Sequence, residues 1–286
     1  MNILQNTLVA LKSRRLWYAG LSVVCALSLD ACATAPIYTT GPPPLEVPSQ
    51  TAEVQVSEPP VLDQQPLLIS PEITYGARHD VYHIVAPGET LWRLSKMYDV
   101  PMDTITCANR LGNPDELTMG QRLRIPNAAP MTPVIPLYPS RKWKYIIIHH
   151  SATDEGSALG FHFAHFKRGF NQGLGYHFVI DNGTKGKPAG NIEVSPRWLK
   201  QQDGAHCKAG GMNYNGIGIC LVGNFSKERL SEKQMHALLY LVDKLRKYYG
   251  IPLSNIMGHG QVNGAHTECP GTNFPWKEFK RRLQAL

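Results

Sequence analysis

The second half of the chain predicts an α/β fold, and three observations carry that expectation. Apolar runs rich in β-branched residues recur with turn residues between them: "KYIIIHH" at 144–150, "GYHFVID" at 175–181, "GIGICLVG" at 216–223 and "SNIMGH" at 254–259. Each reads as a buried strand. Asn182-Gly183 follows the second run and predicts a tight hairpin turn there. The third observation is a helix from Ser231 to Tyr249, with Met235, Leu238, Leu239, Val242 and Leu245 along one face. Ser231 with Gln234 forms a capping box, and Gly250 and Pro252 stop the helix. That apolar stripe is core.

The 286 residues leave room for about two domains. Residues 1–32 belong to neither. Lys12, Arg14 and Arg15 precede the apolar stretch "LWYAGLSVVCALSL", residues 16–29, which is too short for a membrane-spanning helix and suits a secretory signal. It ends in "LDAC", which resembles the lipobox of bacterial lipoproteins and makes Cys32 the candidate for lipidation, although Asp30 is unusual in such a box. Ordinary cleavage near residues 33–35 is the alternative, and Pro36 makes that a poor site. Either route exports the protein. Residues 33–80, with "GPPPLEVPSQ" and no sustained period, read as an extended tether. A second proline-rich stretch, 126–140, separates two regular regions, so the expected segments are 81–127, a linker at 128–140, and 141–286.

Charge is unevenly spread. Residues 141–286 hold twenty basic and ten acidic residues, whereas 81–127 hold five of each and 33–80 one basic and six acidic. A basic exported domain fits an anionic polymer or lipid surface, and export argues against nucleic acid as the partner. Cys107, Cys207, Cys220 and Cys269 remain beyond the signal; they are too few and scattered for a disulfide framework, though Cys207 and Cys220 could pair.

Residues 81–127 order as strand, helix, helix, strand. Val81–Val85 meet a Pro-Gly turn, Thr90 caps a helix carrying Leu91, Leu94 and Tyr98, a second helix follows Pro101, and "RLRIP" closes the unit. With "PGETLW" and "GQRLRIP", this small βααβ unit resembles the LysM carbohydrate module. The resemblance implies binding of N-acetylglucosamine-containing glycan in a groove between two loops, where Gly88, Glu89, Thr90, Asn113, Pro114 and Leu117 lie. The glycine and proline could equally serve only to shape turns.

Two histidines end the first strand of the larger domain, His149 and His150, and "IMGHGQVNGAHTECPG" adds His259 and Cys269. Two histidines and a thiolate make a plausible zinc shell with one open position. The motifs "IIIHHSATD", "GLGYHFVID", "GAHCKAG", "NYNGIGICLVGNF" and "GHGQVNGAHTECPG" stand in the order found in the zinc N-acetylmuramoyl-L-alanine amidases, a family related to the peptidoglycan recognition proteins. That resemblance implies a central mixed β-sheet flanked by helices, one zinc ion held by His149, His259 and Cys269, and a variable position at His150. Tyr176 matches the family's active-site tyrosine, whose phenol can hydrogen-bond the developing oxyanion. His206 matches a histidine near the substrate that could polarise the carbonyl or hold the muramoyl part, and Thr267, as in the catalytic recognition proteins, stands where some members carry a lysine; the resemblance implies catalytic roles for both. No carboxylate is offered at Cys220, where other members have glutamate. His266, inside the long interval between His259 and Cys269, is an alternative ligand.

The expectation is therefore a zinc hydrolase that cuts the amide between N-acetylmuramic acid and L-alanine in peptidoglycan. It would act as a monomer in the bacterial envelope, lipid-anchored with the outer membrane favoured. The alternative is a non-catalytic peptidoglycan receptor on the same fold.

Overall fold

The computed structural model describes residues 67–69, 76–139 and 141–286. The signal-like segment, Cys32 and most of the tether lie outside the described residues. Strand β1 (Leu67–Ile69) comes first, followed by a small unit of β2 (His79–Ile84), α1 (Leu91–Tyr98), α2 (Met102–Asn109) and β3 (Arg122–Ala128). Strands β2 and β3 pair antiparallel with a register shift between His79 and Val81. The expected order, βααβ, is the observed one. Thr90 caps α1 by accepting the Arg93 N–H at 3.3 Å, and Asp99 ends the helix in the left-handed region. Leu91, Leu94, Ile105, Leu123 and Ile125 fill the core between the helices and the hairpin.

The larger unit is a mixed sheet of five strands in the order β7-β6-β8-β5-β9. Its members are β5 (Tyr145–His150), β6 (Phe178–Ile180), β7 (Ile192–Val194), β8 (Gly216–Leu221) and β9 (Ile256–Gly258). Strand β5 runs parallel to β8 and β9, β6 parallel to β8, and β7 antiparallel to β6. One face carries Ile146, Ile148, Ile217, Ile219 and Leu221 and is covered by α6 (Glu232–Tyr249) and α7 (Trp276–Gln284). Leu238, Leu239, Val242 and Leu245 of α6 enter this core as their spacing predicts. Each fully buried aliphatic side chain contributes about 1.5–3 kcal/mol, so this face dominates stability over the surface ion pairs. Between the strands lie α3 (Ala158–Lys167), α4 (Pro196–Leu199) and α5 (Met212–Asn215). Among the described residues no helix is long and apolar enough to cross a membrane.

Two expectations change. Asn182-Gly183 does not make a two-residue hairpin: β6 reaches β7 through residues 181–191. Asn182 Oδ1 instead accepts from the Thr184 N–H and hydroxyl, closing a side-chain-capped turn, and Asn191 Nδ2 donates to Asp181 Oδ2 at the loop's base. All four described cysteines are free, and Cys207 and Cys220 lie in different apolar clusters, so they do not pair.

Residues 128–139 of the stretch expected as a linker are packed. Strand β4 (Val134–Pro136) pairs antiparallel with β1. Val134 is buried in the smaller core, and Ile135 and Leu137 in the larger one. The Pro136 carbonyl accepts from Trp198 Nε1 of α4 at 2.7 Å. A buried charged cluster joins the units next to it. Lys187 Nζ donates to the Ile84 carbonyl at 3.3 Å and lies 3.3 Å from Glu193 Oε2. Glu89 Oε2 accepts from His83 Nε2 at 2.7 Å and from the Ala86 N–H at 2.6 Å. Arg93 Nη2 donates to the Val134 carbonyl.

Candidate metal centre and active site

Two of the candidate ligands, His149 and His259, sit at the C-terminal ends of parallel strands, on the sheet face opposite α6. His149 is the next-to-last residue of β5 and is 1 % exposed. Because side chains alternate along a strand, Ile147 and His149 face one way while Ile146 and Ile148 enter the helix-covered core. His259 follows β9 in a short 3₁₀ turn, His259–Gln261. Cys269 comes back beside it because the Gly260 N–H donates to the Cys269 carbonyl at 2.7 Å. A Cβ on Gly260 would lie 2.3 Å from the Thr267 carbonyl oxygen, so only glycine allows this approach.

His149, His259 and Cys269 offer donor atoms that all lie within 4.8 Å of one another. Two imidazole nitrogens and a sulfur suit zinc, with a fourth position left for water or substrate. His266 is exposed and stands outside this group. His150 points elsewhere: its Nδ1 accepts the Phe225 N–H at 3.2 Å, and its own backbone N–H donates to Cys269 Sγ at 3.3 Å. The neighbouring histidines of "IIIHH" thus divide by strand alternation, one ring to the cluster and one away from it.

Electrostatics favour neutral ligands. Burial, and then the neighbouring His206 and His259, hold His149 well below the usual histidine range. His206 is likewise depressed, by burial and by His177. Burial brings His177 down to about 3. Burial pushes the Cys269 thiol up to about 12, opposed by the hydrogen bond from the His150 N–H.

Tyr176 stands with its ring 5.2 Å from that of His149. Burial, followed by Cys220 and Cys269, raises its phenol well above the usual value, so it stays a proton-bearing donor. Thr267 is exposed, and its hydroxyl accepts the Cys269 N–H at 3.2 Å. His206 is 8 % exposed, with Nδ1 3.0 Å from His149 Nε2 and Nε2 3.2 Å from the Gly216 carbonyl. Both of its nitrogens are therefore engaged inside the protein. The strand residues Gly216 and Gly218 of "GIGIC" had no role in the sequence reading. Their alternation with isoleucine was the available signal, because it marks a face that must stay bare.

In the smaller unit Thr90 and Asn113 serve local structure, Thr90 as a helix cap and Asn113 by accepting the Asp115 N–H at 3.0 Å. Leu117 packs partly buried against the small core. Gly88 turns at φ +78°, and a Cβ there would meet Leu199 Cδ1 at 3.0 Å and Pro196 Cγ at 3.3 Å, so this loop abuts α4.

Residues 139–272 match the family model for N-acetylmuramoyl-L-alanine amidase, and residues 83–126 match that for the LysM domain. Among solved structures, the N-acetylmuramoyl-L-alanine amidase LysC from Clostridium intestinale URNW is 31% identical, over 50% of this chain and 86% of that one, with a TM-score of 0.43. Drosophila PGRP-LB wild-type is 26% identical over 46% of this chain and 76% of that one, with a TM-score of 0.36. The spore coat assembly protein ExsA of Bacillus cereus is 41% identical over 46 residues, 16% of this chain and 7% of that protein's length. The chain belongs to the N-acetylmuramoyl-L-alanine amidase family through residues 139–272 and carries a LysM domain at residues 83–126.

Proposed function

We propose that the protein is a zinc amidohydrolase of peptidoglycan, cutting the amide between N-acetylmuramic acid and the L-alanine of the stem peptide. The observation that carries this reading is the convergence of His149, His259 and Cys269, with donors within 4.8 Å of one another, beside the half-buried Tyr176. His149, His259 and Cys269 would hold the ion. When bound, zinc supplies polarisation of the amide carbonyl and acidification of water. Tyr176 keeps its proton and donates to the oxygen on which negative charge develops. Thr267 steadies the Cys269 backbone through its hydroxyl, and His150 stays outside the ligand set while its N–H eases charge on the Cys269 sulfur. Cys220, uncharged and buried, leaves the proton-transfer step without the carboxylate that some family members carry.

The LysM domain would hold glycan strands through the loops around Thr90 and Asn113–Leu117, and Cys32 would tether the protein in the envelope. A receptor without activity is disfavoured by the intact cysteine at the site. Incubation of purified sacculi with the protein, followed by mass spectrometry, tests the reading. Free stem peptides with an L-alanine amino terminus are the expected products; new reducing sugar ends on uncut stems would refute it.

A further inference from the structure

The nitrogen partners around His149 form a chain with one consistent proton assignment. A backbone carbonyl can only accept, so the contact of 3.2 Å between His206 Nε2 and the Gly216 oxygen puts a proton on Nε2. The ring is enclosed and has no carboxylate among its hydrogen-bond partners, so with its one proton on Nε2, His206 Nδ1 is a lone pair. At 3.0 Å it must accept from His149 Nε2–H. His149 Nδ1 is left as the bare nitrogen, and it faces Cys269 Sγ at 3.7 Å. Which imidazole nitrogen binds a metal is set by the bond the other one makes.

The slot that holds His206 is built for its ring. A Cβ on Gly218 would lie 2.4 Å from His206 Cδ2, and one on Gly204 2.2 Å from the same atom. Asn213 Oδ1 accepts the backbone N–H groups of His206 and Cys207, both at 2.8 Å, and fixes the segment on which the ring stands. A side chain so enclosed, with both nitrogens engaged, does not reach toward a substrate.

We propose that His206 is a positioning residue: it locks His149 into the tautomer whose Nδ1 lone pair faces the metal centre. This rests on the zinc reading above and assigns His206 a place behind the ligand, where the sequence had suggested contact with substrate. The carbonyl of Gly216 sets the direction of the whole relay. A backbone group cannot titrate, so the assignment is fixed by the fold.

The test is a long-range ¹H–¹⁵N spectrum of the histidine-labelled full chain, recorded without metal and again with zinc, beside a zinc competition titration. The expected result is a single His149 tautomer with protonated Nε2 in the metal-free protein, unchanged in type when zinc is added. His206→Leu should mix the tautomers and weaken zinc binding 10–100-fold. His206→Asn, whose Oδ1 falls near the former Nδ1, should restore one tautomer and most of the affinity. A metal-free wild type with the proton on His149 Nδ1 would overturn the proposal without any variant being made. A His206→Leu protein that binds zinc as tightly as wild type but turns over slowly would overturn it too, in favour of a substrate contact. If the wild type shows the expected tautomer yet takes no zinc, the relay stands and the zinc reading fails.

Discussion

Around His149 the buried polar groups are neutral rings whose nitrogens, apart from His149 Nδ1, each have a partner, whereas the junction of the two domains combines charged and polar groups that leave several atoms unmatched. In the first cluster His149 and His206 bond each other, His206 and His177 donate to the carbonyls of Gly216 and Gln202, and His177 Nδ1 accepts from the Gly218 N–H. In the second, Arg93 Nε and Nη1, Asp181 Oδ1 and Asn191 Oδ1 have no hydrogen-bond partner among the described residues, and Glu193 Oε2 relies on the ionic contact with Lys187. Neutral groups can be buried with little penalty once each is bonded, and their directionality orients a ligand. Buried charges pull more strongly but tolerate poor geometry, and removing one partner strands the other. The site is thus built for direction and the junction for attachment.

Loss of a ligand should have the largest effect. His149→Ala and Cys269→Ala should each lose zinc and all measurable hydrolysis, while His150→Ala keeps its metal; metal content beside turnover decides this, and a zinc-free His150 variant would reverse the assignment of the two neighbours. At the junction, Glu193→Ala removes the carboxylate in ionic contact with Lys187 and leaves unbonded the Ala158 N–H that Glu193 accepts at 2.5 Å. It should lower stability by about 3–5 kcal/mol in denaturant unfolding, and an unchanged midpoint would show that the charges are not buried together. Tyr176→Phe should leave zinc content and fold intact and reduce turnover ~10²–10³-fold, since only a transition-state hydrogen bond goes; a drop in zinc content would instead make the phenol structural.

A pH dependence separates the clusters further. Burial alone would raise Glu89, but the hydrogen bond from His83 and the charge of Lys187 hold it down at about 2, against an ordinary 4.5. Its contribution, roughly 3 kcal/mol, is full above pH 4.5 and is lost as pH falls toward 2. Glu89→Gln should flatten the stability curve in that window; an unflattened curve would place the acid sensitivity elsewhere. The smallest effect is local: Thr90→Ala removes the cap of α1 and should cost about 1 kcal/mol, read by amide exchange confined to the small domain.

Much of this was legible in the chain because the signals were local. The stripe of α6, its Ser231 cap and Gly250 stop, the βααβ order and the candidate ligands each follow from periodicity, turn chemistry or an ordered set of motifs. What was not legible depends on partners distant in sequence. No pattern near Pro136 announces that its carbonyl meets Trp198, so a packed strand read as a linker. Lys187 and Glu193 had no role in the sequence reading, and Glu89 was placed in the glycan groove, because their burial is created by the docking of two domains. His206 was assigned a place by its motif, but its direction is set by Gly216 and His149, ten and fifty-seven positions away. Asn182-Gly183 failed as a hairpin because side-chain bonds to Thr184 closed the turn locally.

The alternation of β8 has a consequence for how the molecule assembles. Its isoleucines fill the α6 face, and its glycines leave room for His206 on the other. Sliding the strand by one residue would drive isoleucine side chains into the histidine slot and present glycines to the helix core, losing both at once. Correct pairing of β8 is therefore a checkpoint shared by folding and by construction of the active site. A molecule that has paired its central strands wrongly has no route to a partly built centre, so misfolded copies would be inert rather than loosely active.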